Sequence, residues 1–213
     1  MRRRLAIVAA SAVAAGLAAP AAAQIAPGYS GSSSMTYLGE DQIWDVVSEF
    51  GTCYAGTSKA EALMLVATEP NSAAETATYR KLFRKPYQSC LGDVSSLQGI
   101  AISMIRGAIA EGLYRKKIPI PANLMQPVPA AGTVHNLSQA SLCYVAGHPD
   151  RARALIATTR PGSKKEFEAV TALMDDFTRC IPAGARNLQF NATQIRFRLA
   201  EALLRLPSAA VTK

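Results

Sequence analysis

Four cysteines repeat at a fixed offset of ninety residues along this 213-residue chain: Cys53 and Cys90, then Cys143 and Cys180. Laying residues 53–115 over residues 143–205 without a gap gives 13 identities in 63 positions. Self-similarity at a fixed period is the sequence signature of repeated structural units. We therefore expect two copies of one small unit, each with two cysteines.

These cysteines favour disulfides over a metal or redox site. Four cysteines allow three connectivities. Only the pairing of Cys53 with Cys90 and of Cys143 with Cys180 makes each copy a closed unit, so this pairing is expected. The CxxC spacing typical of zinc sites and dithiol redox sites is absent. Neither a metal nor a cofactor is expected.

The first 23 residues have the pattern of a cleaved export signal. A basic start at residues 2–4 precedes an apolar stretch over residues 5–19, and small residues fill positions 21–23. The apolar stretch is shorter than the roughly 20 residues that a membrane-spanning helix needs, although an uncleaved anchor is the alternative. We expect an exported mature chain, periplasmic or extracellular, without a transmembrane segment.

Helical periodicity is strongest over residues 97–115. There, apolar residues recur at spacings of three and four, which is typical of a helix with a buried face, and residues 195–206 repeat the pattern. An earlier helix is predicted over residues 41–54. Ser58 and Glu61 have the spacing of a capping box that would begin a helix ending at Ala67. With a third helix leading to Cys90 or Cys180, each copy should contain four helices.

The predicted fold is all-α, with two tandem four-helix units packed as a pseudo-twofold domain through their long closing helices. A unit of about 80 residues buries its surface poorly alone, although independent units joined by a connector are the alternative. The predicted organisation is a signal peptide at 1–23, a Gly/Ser/Pro-rich tail at 24–39, repeat 1 at 40–118, a proline-rich connector at 119–132, repeat 2 at 133–207 and a tail at 208–213.

Positive charge is concentrated in the second copy. Residues 24–132 contain nine basic and nine acidic residues, whereas residues 133–213 contain eleven basic and six acidic ones. Such an excess could attract anionic components of the cell envelope. An ordinary solvated helical surface is the simpler and favoured interpretation, and nucleic acid is not an expected partner.

Two groups of basic residues are candidates for binding an anionic ligand: Arg80, Lys81, Arg84 and Lys85 in the first copy, and Arg196 and Arg198 in the second. The first group alternates with aromatic residues, as in some surfaces that bind nucleic acids. On a helix, however, those aromatics share one face, which favours core packing beside a solvated face. The ungapped alignment places one of them, Phe83, opposite Leu173.

No reaction signature is present. The chain lacks a nucleophile-elbow serine, an HExxH motif and a phosphate-binding glycine loop. The remaining catalytic candidates are four charged residues shared by the copies: Glu111, Glu201, Arg106 and Arg196. If they converged in a pocket between the copies, burial could raise a glutamate pKa enough to make it a general acid.

A surface location explains the same residues more simply. Glu111 precedes Arg115 by four positions, and Glu201 precedes Arg205 by four, which predicts ion pairs on a helix surface. The other two arginines are expected to face solvent, although reaching across to the opposite copy is the alternative. The chain is therefore predicted to be an exported, non-enzymatic binding or interaction module of the cell envelope. The alternative is an envelope hydrolase or transferase with a site at the junction of the repeats.

Overall fold

The computed structural model describes residues 40–82, 88–91, 97, 99–130, 133–181 and 191–206. Within these ranges the chain is all-α, as predicted, and no strand is present. The helices are α1 Glu40–Thr57, α2 Lys59–Ala67, α3 Ala73–Leu82, α4 Gln88–Leu91, α5 Ile102–Arg115, α6 Leu137–Gly147, α7 Pro149–Thr158, α8 Lys164–Arg179 and α9 Ala192–Arg205. The predicted signal peptide and both predicted tails lie outside the described residues.

Helices α5 and α9 form the centre of the molecule. They pack against each other, while α1 and α2 cover α5, and α6, α7 and α8 cover α9. Every residue of α5 from Met104 to Leu113 is buried, including its charged residues. The predicted apolar stripe is therefore only part of a helix that is enclosed on all sides.

Three glycines allow the central helices to approach closely. A Cβ atom added to Gly51 of α1 would lie 2.3 Å from the backbone of Ala108 in α5, and one added to Gly112 would lie 2.5 Å from the Gly51 carbonyl oxygen. In the same way, a Cβ on Gly107 would lie 2.4 Å from the Cβ of Phe197 in α9. Larger residues at these positions would force the helices apart.

Two disulfides tie the outer helices together. Cys53 in α1 is bonded to Cys90 in α4, and Cys143 in α6 is bonded to Cys180 at the end of α8. The Cα–Cα distances are 5.5 Å and 5.9 Å. These are the pairs that the sequence favoured.

The predicted capping box at Ser58 is wrong. The Ser58 side chain makes no capping hydrogen bond. Instead, its N–H donates to the Tyr54 carbonyl and its carbonyl accepts from the Ala62 N–H, so the hydrogen bonding of α1 passes almost directly into α2. Side-chain caps that the sequence reading missed lie at Ser72 and Ser163, whose hydroxyls accept from the N–H groups of the glutamates three residues later.

The proline-rich connector is docked on the end of α9. It contains a short 3₁₀ turn, Ala122–Leu124. The Gln126 N–H donates to the Arg205 carbonyl at 2.9 Å, and the Arg205 Nε donates to the Leu124 carbonyl at 3.3 Å. Among the described helices, none combines the length and hydropathy of a membrane span.

Candidate functional site

Arg106 and Glu201 form an ion pair between α5 and α9. The Arg106 side chain has no exposed surface, and its Nε and Nη2 atoms lie 3.0 Å and 2.6 Å from Oε1 of Glu201. Two charges can remain this deep in a protein only if they are paired and hydrogen-bonded. The contact therefore joins the two central helices.

The Arg106 guanidinium also caps the C-terminus of α2. It donates to the carbonyl oxygens of Leu65, Val66 and Thr68 at 2.8–2.9 Å, and to the Thr68 hydroxyl at 2.8 Å. The last carbonyls of a helix have no intrahelical donors and carry the negative end of the helix dipole. A buried guanidinium satisfies both requirements, so Arg106 has a structural role here.

Arg196 makes the corresponding contacts in the second half. Its Nε and Nη2 atoms each lie 2.8 Å from a carboxylate oxygen of Glu111. It donates to the Ile156 carbonyl at 3.1 Å, near the end of α7, and to the Thr159 hydroxyl. We call each arginine together with its glutamate partner and capped helix end an arginine clamp.

A second glutamate lies beside each arginine. Glu75 lies 3.3 Å from Arg106, and Glu166 lies 3.7 Å from Arg196. Their Oε2 atoms accept the backbone N–H groups of Asn71 at 2.6 Å and Gly162 at 2.8 Å. Both donors have positive φ, 63° and 75°, in the loops preceding α3 and α8. The glutamates therefore hold these loops in place.

The electrostatics of the two clamps differ. Burial alone would raise the pKa of the Glu201 carboxyl, but Arg106, Arg198 and Arg205 outweigh it and hold that pKa at about 2. Burial raises the pKa of Glu166, because hydrogen bonds from Thr193 and Gly162 and the charge of Arg196 only partly offset it. Glu201 is therefore ionised at neutral pH and is not a proton donor there, so the hypothesis of a raised pKa is wrong for this residue.

The predicted ion pairs are present, but their predicted surface location is wrong. Arg115 lies 2.8 Å from Glu111, and Arg205 lies 3.2 Å from Glu201. Both glutamate side chains are only 3–4% exposed, and Arg106 is fully buried like Arg196. The solvent-facing location fails because α5 and α9 are covered on all sides, and the contact between halves is the alternative that the structure supports.

The basic binding candidates separate into three groups. Arg80 and Lys81 are exposed on α3, whereas Arg84 and Lys85 lie outside the described residues. Arg196 and Arg198 are buried and paired with Glu111 and Glu201. A surface location for these two is wrong, because both are neutralised inside the helix assembly.

Several exposed basic residues of the second half are also balanced by acids. Ion pairs connect Arg151 and Arg179 to Asp176, Arg153 to Asp150, Arg160 to Asp45, and Lys164 to Glu168. Each of these exposed basic side chains therefore has a carboxylate partner. Within the described part of the chain, no cluster of histidine, cysteine or carboxylate side chains could hold a metal ion.

A cavity of about 340 Å³ borders the segment that follows Thr68, the residue at the capped end of α2. The loop between α2 and α3, the connector and the N-terminal part of α6 form its walls: Glu69, Pro70, Gln126, Pro127, Pro129, Thr133, Asn136, Ser138, Gln139 and Leu142. None of the catalytic or binding candidates from the sequence contributes to this wall. The cavity was missed because its residues come from three segments that no single motif connects.

Hydrogen bonds within the cavity wall fix part of it in place. The Asn136 side chain caps α6 by accepting the Gln139 N–H at 2.9 Å, and the Gln139 side chain accepts the His135 N–H at 2.7 Å. These bonds order the start of α6 around the opening. The cavity is thus formed by ordered backbone rather than by a gap between unconnected surfaces.

A tryptophan lies ninety positions before Val134 in the other half. Trp44 is buried against Gly162, where a Cβ atom would lie only 2.4 Å from the Trp44 ring. The next residue, Asp45, forms an ion pair with Arg160 at 3.3 Å. Val134 is a much smaller buried residue, and it follows the lining residue Thr133 in the chain.

No protein-family model, curated protein or solved structure matches this chain.

Proposed function

We propose that this chain is an exported, non-enzymatic binding module of the cell envelope. It is built from two tandem helical units, each clasped by a disulfide and related by a pseudo-twofold axis. Its ligand binds in the cavity between the α2–α3 loop, the connector and α6. The single observation that carries the binding function is this cavity of about 340 Å³, whose wall includes ordered residues from all three segments.

The arginine clamps support the tandem arrangement. Arg106 contacts Glu201, and Arg196 contacts Glu111, so residues ninety positions apart exchange partners across α5 and α9. This reciprocity is the contact pattern of an isologous, twofold interface, in which residue i contacts j and j contacts i. A duplicated unit that pairs with its own copy would have this pattern.

A one-residue shift between the halves adds further support. Around α3 and α8 the corresponding buried positions are 91 residues apart, as for Glu75 and Glu166 or Leu82 and Leu173. The ungapped alignment, which paired Phe83 with Leu173, could not follow an insertion of one residue. Allowing it aligns the capping serines, Ser72 and Ser163, as well.

Export is supported by the disulfides together with the N-terminal pattern. Disulfides persist in oxidising compartments and are rare in the cytosol of most organisms. The basic and apolar pattern over residues 1–23 is that of a secretory signal. A periplasmic or extracellular location is consistent with both.

The alternative of a hydrolase or transferase at the junction of the repeats has no structural feature in its favour. Its four candidate residues pair with one another in the two clamps, where all four are buried and the two arginines also donate to helix-end carbonyls. An anionic partner is likewise not favoured, because the described cavity wall contains a carboxylate and no basic side chain. Binding in the open cavity is the function that the geometry supports best.

The experiment screens a library of small metabolites by protein-observed NMR. It compares the wild type, in which the cavity is open, with a variant in which the cavity is closed. Val134→Trp combined with Asn71→Gly copies the Trp44–Gly162 contact into the open half. Ala154→Trp, which adds an indole to the exposed side of α7, is the matched control. Ligands should shift the amide signals of Glu69 and of residues 133–142 in the wild type and in the control, but not in the closed variant.

The proposed function fails if no compound perturbs those signals, or if compounds bind the closed variant as well as the wild type. A melting curve of the double variant shows whether it is folded. If it is unfolded, Ser138→Trp, which places the ring on the cavity wall from a partly exposed position of α6, provides the same test.

A further inference from the structure

The charge of the cavity wall selects among ligand classes. Glu69 is the only charged side chain among the described lining residues, and it is exposed. The other polar groups are the neutral amides of Gln126, Asn136 and Gln139 and the hydroxyls of Thr133 and Ser138. A carboxylate without a basic neighbour in the wall favours a cationic ligand and repels an anionic one.

The nearest basic residue that interacts with Glu69 does not neutralise it. Arg205 is affected by the charge of Glu69. However, its guanidinium donates to Glu201 and to the Leu124 carbonyl. Among the described residues Glu69 takes part in no ion pair within 4 Å, so its carboxylate is available to a ligand.

The rest of the wall is apolar and stiff. Three prolines, Pro70, Pro127 and Pro129, line the cavity together with Leu142. Proline rings present a fixed apolar face at little conformational cost. A volume of about 340 Å³ is at the small end of the usual range for ligand sites, roughly 300–1,000 Å³. It fits one small molecule rather than a polymer segment.

The other half indicates which groups such a place accepts. There the indole of Trp44 packs against Gly162, and the next residue, Asp45, pairs with Arg160. In the half with the cavity, Val134 is at the position of Trp44 and His135 at that of Asp45, while Glu69, at an offset of 91, is at that of Arg160. Among the described residues no ion pair joins His135 to Glu69, so this half has a small residue in place of the indole and a carboxylate without a paired cation.

We propose that the cavity binds a small arylalkylamine, with its ring between the prolines and Leu142 and its ammonium group paired with Glu69. This inference rests on the proposed binding function and adds the chemical class of the ligand.

The test titrates the purified protein with four probes under the same NMR readout: tryptamine, indole, indole-3-acetate and butylamine. Tryptamine should bind most tightly, indole about two- to fivefold more weakly, and indole-3-acetate most weakly of the three. Glu69→Gln should weaken tryptamine binding about two- to fivefold, the effect of one exposed ion pair, and leave indole binding unchanged. Glu168→Gln, which removes an exposed carboxylate on α8, is the matched control and should change neither.

Each contrary result has a defined meaning. If indole-3-acetate binds as tightly as tryptamine, or if Glu69→Gln leaves the affinity for tryptamine unchanged, the proposed role of the ammonium group is wrong. If butylamine binds as tightly as tryptamine, the proposed role of the aromatic ring is wrong. If tryptamine does not bind while other metabolites shift the signals of residues 133–142, the ligand class is wrong and the proposed function stands. If nothing shifts those signals, both are wrong.

Discussion

The two arginine clamps are nearly alike, whereas the two loops before α3 and α8 have different surroundings. Each clamp joins an arginine to a glutamate of the other central helix and to the end of a short helix. The loop before α8 is covered by Trp44, and the loop before α3 borders a cavity. The buried ionic network is thus repeated in both halves, whereas the covering of the loops is not.

The reason is energetic. Removing one member of a clamp leaves a buried charge and several carbonyls without partners, which costs more than the clamp contributes over an apolar core. By contrast, removing a side chain that covers a loop only exposes some of the loop's surface to water. The cores of the halves can therefore keep their ionic groups while their loops change.

The largest effect is expected from breaking a clamp. Arg106→Met and Arg196→Met should each lower the free energy of unfolding by about 3–5 kcal/mol, because each strands a buried carboxylate and helix-end carbonyls. Denaturant unfolding measures this loss. Arg153→Met, at an exposed pair on α7, should change stability by less than about 0.5 kcal/mol. If Arg106→Met and Arg196→Met each lowered the free energy of unfolding by less than about 1 kcal/mol, the structural role of the two arginines would be contradicted.

The disulfides should be nearly equivalent. Both bridge residues 37 apart, so the entropy of loop closure is the same. Replacing either pair by serines should cost about 2–4 kcal/mol, as measured by urea unfolding with the other bridge intact. A difference of more than about 2 kcal/mol between the two variants would show that the halves rely on their bridges unequally.

The two buried glutamates, Glu201 and Glu166, should contribute to stability with different pH dependences. For Glu201 the folded-state pKa of about 2 is below the ordinary value of 4.5. Its contribution to stability is thus present above pH 4.5 and is lost as the pH falls towards 2. One pKa unit is worth about 1.4 kcal/mol, so Glu201→Gln should cost up to about 3 kcal/mol at neutral pH. Thermal unfolding between pH 2 and pH 7 measures this dependence.

The contribution of Glu166 to stability should change with pH in the opposite direction. Its folded-state pKa is raised, so its ionisation opposes folding as the pH rises above 4.5. Glu166→Gln should therefore lose less stability at neutral pH than Glu201→Gln, and relative to the wild type its stability should improve with rising pH through that window. Parallel pH profiles for the two variants would refute the electrostatic difference between the clamps.

The smallest effects are expected at two buried positions ninety residues apart. Trp44→Val removes a buried ring and should cost about 2 kcal/mol, and Val134→Ala, at the corresponding position, should cost about 1 kcal/mol. The melting temperatures of the two variants measure these losses at the Trp44 and Val134 positions. If Val134→Ala lost more stability than Trp44→Val, the packing around Val134 would matter more to the fold than the packing around the Trp44 ring.

The sequence predicts the helical class and the cysteine pairing because both depend on local or periodic patterns. Apolar residues at spacings of three and four form helices, and the ninety-residue offset relates Cys53 and Cys90 to Cys143 and Cys180. The ion pairs of Glu111 and Glu201 with the arginines four residues later also follow from helix geometry. Each inference needs only neighbouring residues or a repeat.

Burial of the clamps could not be derived from such patterns. Arg106 lies on an amphipathic helix, and periodicity cannot tell whether its polar face meets water or another helix. A gapped comparison would have given a signal, because Thr68 and Thr159, like Glu75 and Glu166, correspond at an offset of 91. The cavity needs the positions of three segments at once, so only the tertiary structure defines it.

Gly107 and Phe197 meet where α5 and α9 cross, ninety residues apart in the chain. On the proposed duplication they occupy the same position in the two units. Two glycines there would leave a void, and two phenylalanines would collide. On that proposal each unit fits the other better than it would fit a second copy of itself, so this crossing favours one chain with two different units over a dimer of identical ones.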